Sequence, residues 1–424
     1  MYYTPNKENN VFQLVVQYGA GEREFPKLGY AAQLMNNAGI MGAYEPQELK
    51  EELSKLNATC HVTADDDNLY IIMEGYEATL PQACQLLSRQ ILMPKLDEKQ
   101  LARLKGSAMG MRQQRKDNVS ILNEALRQYM LYGEKSDYIK ELTDKEIYEL
   151  QISELTGDIN RASNYEAKVF FTGTLPFDQV YDILSKNLPL VANERPSNSP
   201  QAKDMMPVTE NTVYFLPNND AEQAQIHLYI PMQKADKKDD VLRSAFNQYF
   251  GLDFTGIVLN EIREKRSMAY TAYAFVGTQG IAGKASYLRG YIGTQNDKAN
   301  DALDVLMGLV NDMPKNPERI DNIKSYLRQA MLTSHPSFRN KAMELVDLGY
   351  RGYTDDPAKE NLPKVDALTF DDIVKFYEEN IKDKPYCISI MGNPKNIDLK
   401  RLEKFGKVVK LNERKLFNTK DALF

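Results

Sequence analysis

An arginine and a tyrosine seven positions apart, Arg263 and Tyr270, are the residues in this chain best suited to chemistry. A guanidinium and a phenol both donate hydrogen bonds to a carbonyl oxygen or a developing oxyanion. They lie in the run Glu261-Ile262-Arg263-Glu264-Lys265-Arg266-Ser267-Met268-Ala269-Tyr270. The amphipathic stretch from Thr255 to Asn260 precedes it, and the alternating segment Ala269–Phe275 follows it, so the expected setting is a helix end feeding a strand. Taken alone, the pair is an ordinary exposed helix arginine and a half-buried strand tyrosine. Only the rest of the chain can give it a role.

The elements that must position the pair occur twice. Glu77–Leu87, a Met93-Pro94 break and a second helical pattern around Leu101–Met109 recur as Asp297–Leu306, Met313-Pro314 and Ile323–Met331. Leu142-Thr143-Asp144 matches Leu368-Thr369-Phe370, and each threonine reads as a helix N-cap followed by acidic residues. Short apolar strands ending in glycine follow, Ala167–Gly173 and Tyr386–Gly392. The strand-like starts Val11–Val16 and Ala224–Ile230 also agree, each leading to an apolar helix, 28–39 in one case and 241–250 in the other. The expected fold class is α+β: two tandem homologous units, each a mostly antiparallel sheet covered by helices. The polar, proline-dotted stretch 191–207 reads as the linker, dividing the chain into 1–195 and 196–424.

Composition bounds the reading without directing it. The chain has 424 residues, 42% hydrophobic and 26% charged, which suits a globular protein of two or three domains. A net charge of −6 argues against a nucleic-acid partner, and no apolar run is long enough to span a membrane. Met1–Lys7 lacks the basic-then-apolar pattern of a signal peptide. The three cysteines, Cys60, Cys84 and Cys387, show no metal-ligand spacing and read as free thiols, with a Cys60–Cys84 disulfide as the alternative. The three histidines, His61, His227 and His335, are too scattered to share a helix face.

The Leu259–Arg266 run with Ala269-Tyr270, placed in the second of two repeats of this size, resembles the arginine–tyrosine signature of the insulinase/pitrilysin family of inverted zinc peptidases. The opening Pro5–Asn9 and the Leu131-Tyr132-Gly133 turn extend the resemblance over nearly the whole chain. The resemblance implies that Arg263 and Tyr270 hold substrate and stabilise a tetrahedral oxyanion. In the family, an earlier unit carries His-x-x-Glu-His on a helix: two histidines four apart reach zinc, and the glutamate serves as general base. Here the corresponding helix is Gly29–Ala38, and the ligand and base positions fall on or near Ala32, Met35 and Asn36. The resemblance therefore implies a partner half. This chain holds no cofactor, zinc sits elsewhere, and the partners are peptide substrates plus an N-terminal peptidase half or a separate active subunit. The opening resembles the start of the C-terminal half of a long bacterial member, a group often exported to the periplasm.

The remaining residues of interest have plainer readings. Ser267 stands where the family usually has glycine, which matters if that position needs φ > 0. Tyr273 reads as packing, and Lys265 and Arg266 as a solvated helix end favoured by the dipole. Asp65-Asp66-Asp67 reads as a solvated hairpin turn, His227 as a packed or edge histidine, and His335-Pro336 as a helix-to-loop transition. The basic run Met111–Lys116 reads as the solvated face of a long helix.

Overall fold

The computed structural model describes residues 1–189, 195–251, 255–334 and 336–420. The alternation Leu69–Tyr76 shows why these segments are strands: Leu69, Ile71, Met73 and Gly75 are buried while the residues between them are half-buried or exposed. The strands are β1 (Tyr2–Pro5), β2 (Val11–Tyr18), β3 (Gly39–Ile40), β4 (Ala58–Ala64), β5 (Leu69–Tyr76), β6 (Pro94–Lys95) and β7 (Ala167–Gly173). They are followed by β8 (Thr212–Pro217), β9 (Gln223–Lys234), β10 (Ala269–Thr278), β11 (Ala285–Gln295), β12 (Cys387–Gly392) and β13 (Lys407–Lys410). The first sheet has the order β1-β7-β2-β5-β4, the second β10-β11-β9-β12-β8-β13, and β3 pairs with β6 as a separate ribbon. Read from the other end and without β13, the second order repeats the first. In both, the first strand runs parallel to the last and the other pairs are antiparallel. The α+β class of the sequence reading is what the chain adopts.

Each sheet buries one face under helices of its own repeat. Phe12, Leu14, Leu69 and Met73 meet Leu28, Leu34, Leu80 and Leu87 in the first core. Ile226, Leu228, Leu288 and Ile390 meet Phe246, Phe250, Leu303 and Ile373 in the second. The two matched threonines cap their helices as expected. Thr143 Oγ1 accepts from Glu146 N at 3.1 Å and Thr369 Oγ1 from Asp372 N at 3.3 Å, with the acidic side chains bonding back. Such a cap contributes about 1 kcal/mol.

The opposite faces are closed by exchange. The helix Val119–Tyr132 of the first repeat lays Leu122, Ala125 and Leu126 on Leu216 and Met391 of the second sheet. Its last turn sets Met130 and Leu131 against Tyr229 and Cys387. Gly133 ends it at φ 55°, a conformation glycine adopts without strain, and a Cβ there would press on Met206 Sδ at 2.9 Å. In return the helix Lys341–Tyr350 of the second repeat packs Ala342 on Val15 and Phe170 of the first sheet. Lys168 Nζ donates to Tyr350 Oη at 2.9 Å across that contact.

Four sequence expectations need correction or completion. Arg112 and Arg115 are not a solvated face. Arg112 reaches Asp144 at 2.7 Å and Glu141 at 3.2 Å, and Arg115 forks onto Glu141 at 2.6 and 3.1 Å. A planar guanidinium matches a carboxylate bidentately, so these charges tie the long helix to the segment before the Thr143 cap. The aspartate triplet is the expected β4–β5 turn, with Asp65 Oδ1 accepting from Asn68 N at 2.7 Å, but Asp66 and Asp67 both pair with Arg23 rather than facing water alone. Cys60 lies inside β4. All three cysteines are free, and burial pushes the Cys60 and Cys84 thiols up to about 12. Residues 191–194 of the linker and His335 lie outside the described residues.

Leu126, wholly buried although it belongs to the first repeat, gives the exchange a direct test. L126A should cost about 3 kcal/mol in a urea unfolding titration. Hydrogen exchange should quicken in β12 and β8, in the second sheet, and not only in the helix that carries the change.

Candidate peptide-contacting site

Ile257, Val258 and Ile262 are buried in the second core and pin the turn that carries the arginine. Gly251 permits this: a Cβ there would meet Val258 Cβ at 2.9 Å. The chain then widens into a π-helical turn over Asn260–Glu264, with Lys265 N donating to Asn260 O at 2.9 Å. Such turns are rare and concentrate at functional sites. The sequence predicts an ordinary helix here, and the wider turn is what holds Ile262 inward and Arg263 outward. Arg263 keeps a third of its side chain exposed and has Glu264 at 3.4 Å. Lys265 and Arg266 sit at the exposed end as expected, both paired with Glu261, at 2.6 and 2.5 Å.

Ser267 adopts φ 49°, the left-handed conformation the sequence reading singled out. A residue with a Cβ pays about 1 kcal/mol there. Ser267 N donates to Arg263 O and Met268 N to Ile262 O, both at 2.9 Å, so the reversal is tied back to the turn. Lys298 Nζ also donates to Ser267 O at 3.2 Å.

β10 opens with a bulge. Ala269 pairs with Thr294 and Thr271 with Gly293, leaving Tyr270 without a partner in the ladder. A bulge re-aims the side chain it releases. Tyr270 is 78% exposed on a strand whose Ala272, Ala274 and Val276 face the core. The Arg263 guanidinium lies 4.9 Å from the centre of the Tyr270 ring. Two donors are thus held side by side, aimed away from the core.

The sequence reading missed the surface that continues from this pair. Tyr273 packs as expected, its ring 5.3 Å from that of Tyr291 and 5.9 Å from that of Phe275. Tyr287 and Arg289 share that face, since Phe275 pairs with Arg289 and Gly277 with Tyr287. The alternation Tyr287-Leu288-Arg289-Gly290-Tyr291 was the available signal. His227 is not an edge residue: β9 is paired on both sides, His227 is 3% exposed, and its Nε2 lies 3.0 Å from Asn123 Oδ1 on the exchanged helix. Burial, then the charges of Arg289 and Arg127, lower its pKa to about 3.

The helix that the resemblance sets against the family's zinc helix is Leu28–Met35. Ala32 and Met35 are 2% and 3% exposed in the first core and carry no nitrogen or oxygen ligand. Asn36 spends both polar atoms on β4, donating to Val62 O and accepting from Val62 N, each at 2.8 Å.

Residues 163–327 match the family model of the peptidase M16 inactive domain. No curated protein matches the sequence. Solved structures match over nearly the whole chain. The peptidase M16 inactive domain from Pseudomonas fluorescens is 16% identical at a TM-score of 0.71, covering 93% of this chain and 96% of that one. The periplasmic protease PqqL from Escherichia coli is 13% identical at a TM-score of 0.69, with 91% of this chain matching 43% of that one. The ferredoxin protease FusC, solved with Arabidopsis ferredoxin, is 12% identical at 0.70, with 92% of this chain matching 44% of that one. The chain thus has the fold of the peptidase M16 inactive domain over nearly its whole length.

Because His227 is held neutral, its contribution to stability is fully present above its ordinary value of 6.5 and is lost as pH falls towards about 3. Thermal unfolding from pH 7 to 4 should show a steeper acid loss for the wild type than for H227Q. Parallel curves would mean that His227 protonates in the folded state without penalty.

Proposed function

We propose that this chain is the C-terminal, metal-free half of an insulinase-like zinc endopeptidase, built of units 1–195 and 196–424. It closes over extended peptides and presents Arg263 and Tyr270 to the bond being cleaved. The observation that carries this reading is the pair itself: a bulge and a left-handed serine are maintained at some cost, and together they expose a phenol beside a guanidinium. In amide hydrolysis both groups would donate to the oxyanion of the tetrahedral intermediate as its charge develops, while zinc, held elsewhere, would supply the activation of water. Zinc and the general base belong to the other half, because Ala32, Met35 and Asn36 can supply neither. The match to less than half of PqqL and of FusC supports a missing partner half.

A second reading is a non-catalytic peptide-binding subunit that pairs with a separate active peptidase. It is favoured by the Pseudomonas fluorescens chain, which is matched over 96% of its own length. Mixing the chain with its N-terminal half separates the two: the first reading expects restored peptide cleavage, the second a stable complex without gain of activity. In the restored enzyme, R263A and Y270F should each lower kcat/KM about 100-fold. Tyr270 is too exposed for Y270F to disturb folding, so an unchanged rate would remove the assigned role.

A further inference from the structure

Arg289 stands in the middle of β11 with Phe275 and Tyr229 as its neighbours across the two adjoining strands. It is half-buried among aromatic rings, and its Nε is buried without a hydrogen-bond partner. Its one bond is a long one, from Nη2 to Tyr273 Oη at 3.5 Å. Among the described residues no carboxylate lies within 4 Å of it, although many other guanidinium groups here have one. Nearby, the Glu124 carboxylate feels two guanidinium groups and is hydrogen-bonded by Arg127. Arg127 Nε donates to Glu124 Oε2 at 2.7 Å, and although burial opposes it, that bond and the Arg127 charge, then a Gln128 hydrogen bond and the Arg289 charge, hold the Glu124 carboxyl below its ordinary range. His227 is neutral. One positive charge is left over on a partly desolvated aromatic wall, where a cation without an anion is costly.

We propose that Arg289 is a carboxylate-binding subsite for a bound extended peptide, reading an acidic side chain or a free C-terminus. The inference rests on the peptide-chamber reading above and adds the chemistry that this wall selects. Arg289 is opposite Phe275, five residues along β10 from Tyr270, or about 16 Å at the rise of a strand. An extended peptide rises at the same rate, so the carboxylate falls about five residues from the bond at Tyr270. With Nε buried, the guanidinium offers its outer Nη donors, and the Tyr273 hydroxyl lies beside them as a further donor.

The test uses the isolated chain and three labelled peptides of one neutral sequence: amidated, amidated with one internal aspartate, and with a free C-terminus. Fluorescence anisotropy at low salt gives each Kd. At least one carboxylate peptide should bind about tenfold tighter than the neutral amide, and which one it is identifies the source. R289Q should abolish that ratio, R289K should retain part of it, and Y273F should reduce it less than R289Q. Matching thermal midpoints would confirm that R289Q folds. Binding of all three peptides with equal Kd, or a ratio that survives in R289Q, would overturn the subsite while leaving the chamber reading intact. No binding by any of the peptides would overturn both.

Discussion

Two helices lent across the repeat hold this molecule together. A sheet covered on one face leaves the other with unburied apolar side chains, and each repeat draws on a helix of the other to cover that second face. Val119–Tyr132 closes part of the second sheet and Lys341–Tyr350 part of the first. The exchange fixes more than stability. The first helix covers β12 and the β9 side of the second sheet, with Tyr287 of β11 packed at its margin, and leaves Tyr273, Phe275, Arg289 and Tyr291 half-exposed beyond it. The open aromatic wall is what this cover leaves uncovered. The same helix carries Asn123 and the Glu124–Arg127 pair to the border of that wall, so a residue of one repeat sets the electrostatics of the other.

The exposed pair depends on three local departures from regular structure in sequence: the π-helical turn, the left-handed Ser267 and the bulge at Tyr270. Each is unfavourable by itself, and each is held by neighbours that are not. Ile257, Val258 and Ile262 anchor the turn from below, and the Ala272-Ala274-Val276 face anchors the strand beyond it. Departures of this kind, fixed between well-packed elements, mark positions where side-chain direction matters more than local stability.

Much of this was legible in the sequence, and the limits have physical reasons. Periodicity and capping residues gave the duplicated α+β units, because both report on local backbone preference. The family signature and the φ at Ser267 were also legible, the latter because a glycine position filled by serine is itself informative. The strands β1 and β8 went unread: each is short and ends in proline, and a four-to-six-residue segment carries too little alternation to stand out. Arg112 and Arg115 were misjudged because their carboxylates lie some thirty positions along the chain, and a basic helix face looks the same in sequence whether it meets water or a loop. The exchange of helices was invisible for a related reason: an apolar stripe declares that it will be buried, not by which repeat.

In the helix Leu28–Met35, the positions that the family resemblance sets against zinc ligands serve packing and a strand edge. An inverted zinc motif requires polar ligands to face inward from a helix and leave room for an ion. Here Ala32 and Met35 fill the first core at those places, and Asn36, just past the helix, clasps both backbone groups of Val62. The clasp matters because β4 is the edge of its sheet, and Val62 offers there an N–H and a C=O that β5 does not use. One amide side chain, with an acceptor and a donor on the same carbon, satisfies both, which an ionised glutamate, an acceptor only, could not do. Polar side chains at Ala32 and Met35 would therefore disturb the packing of the first core, and a change at Asn36 would free the edge of β4.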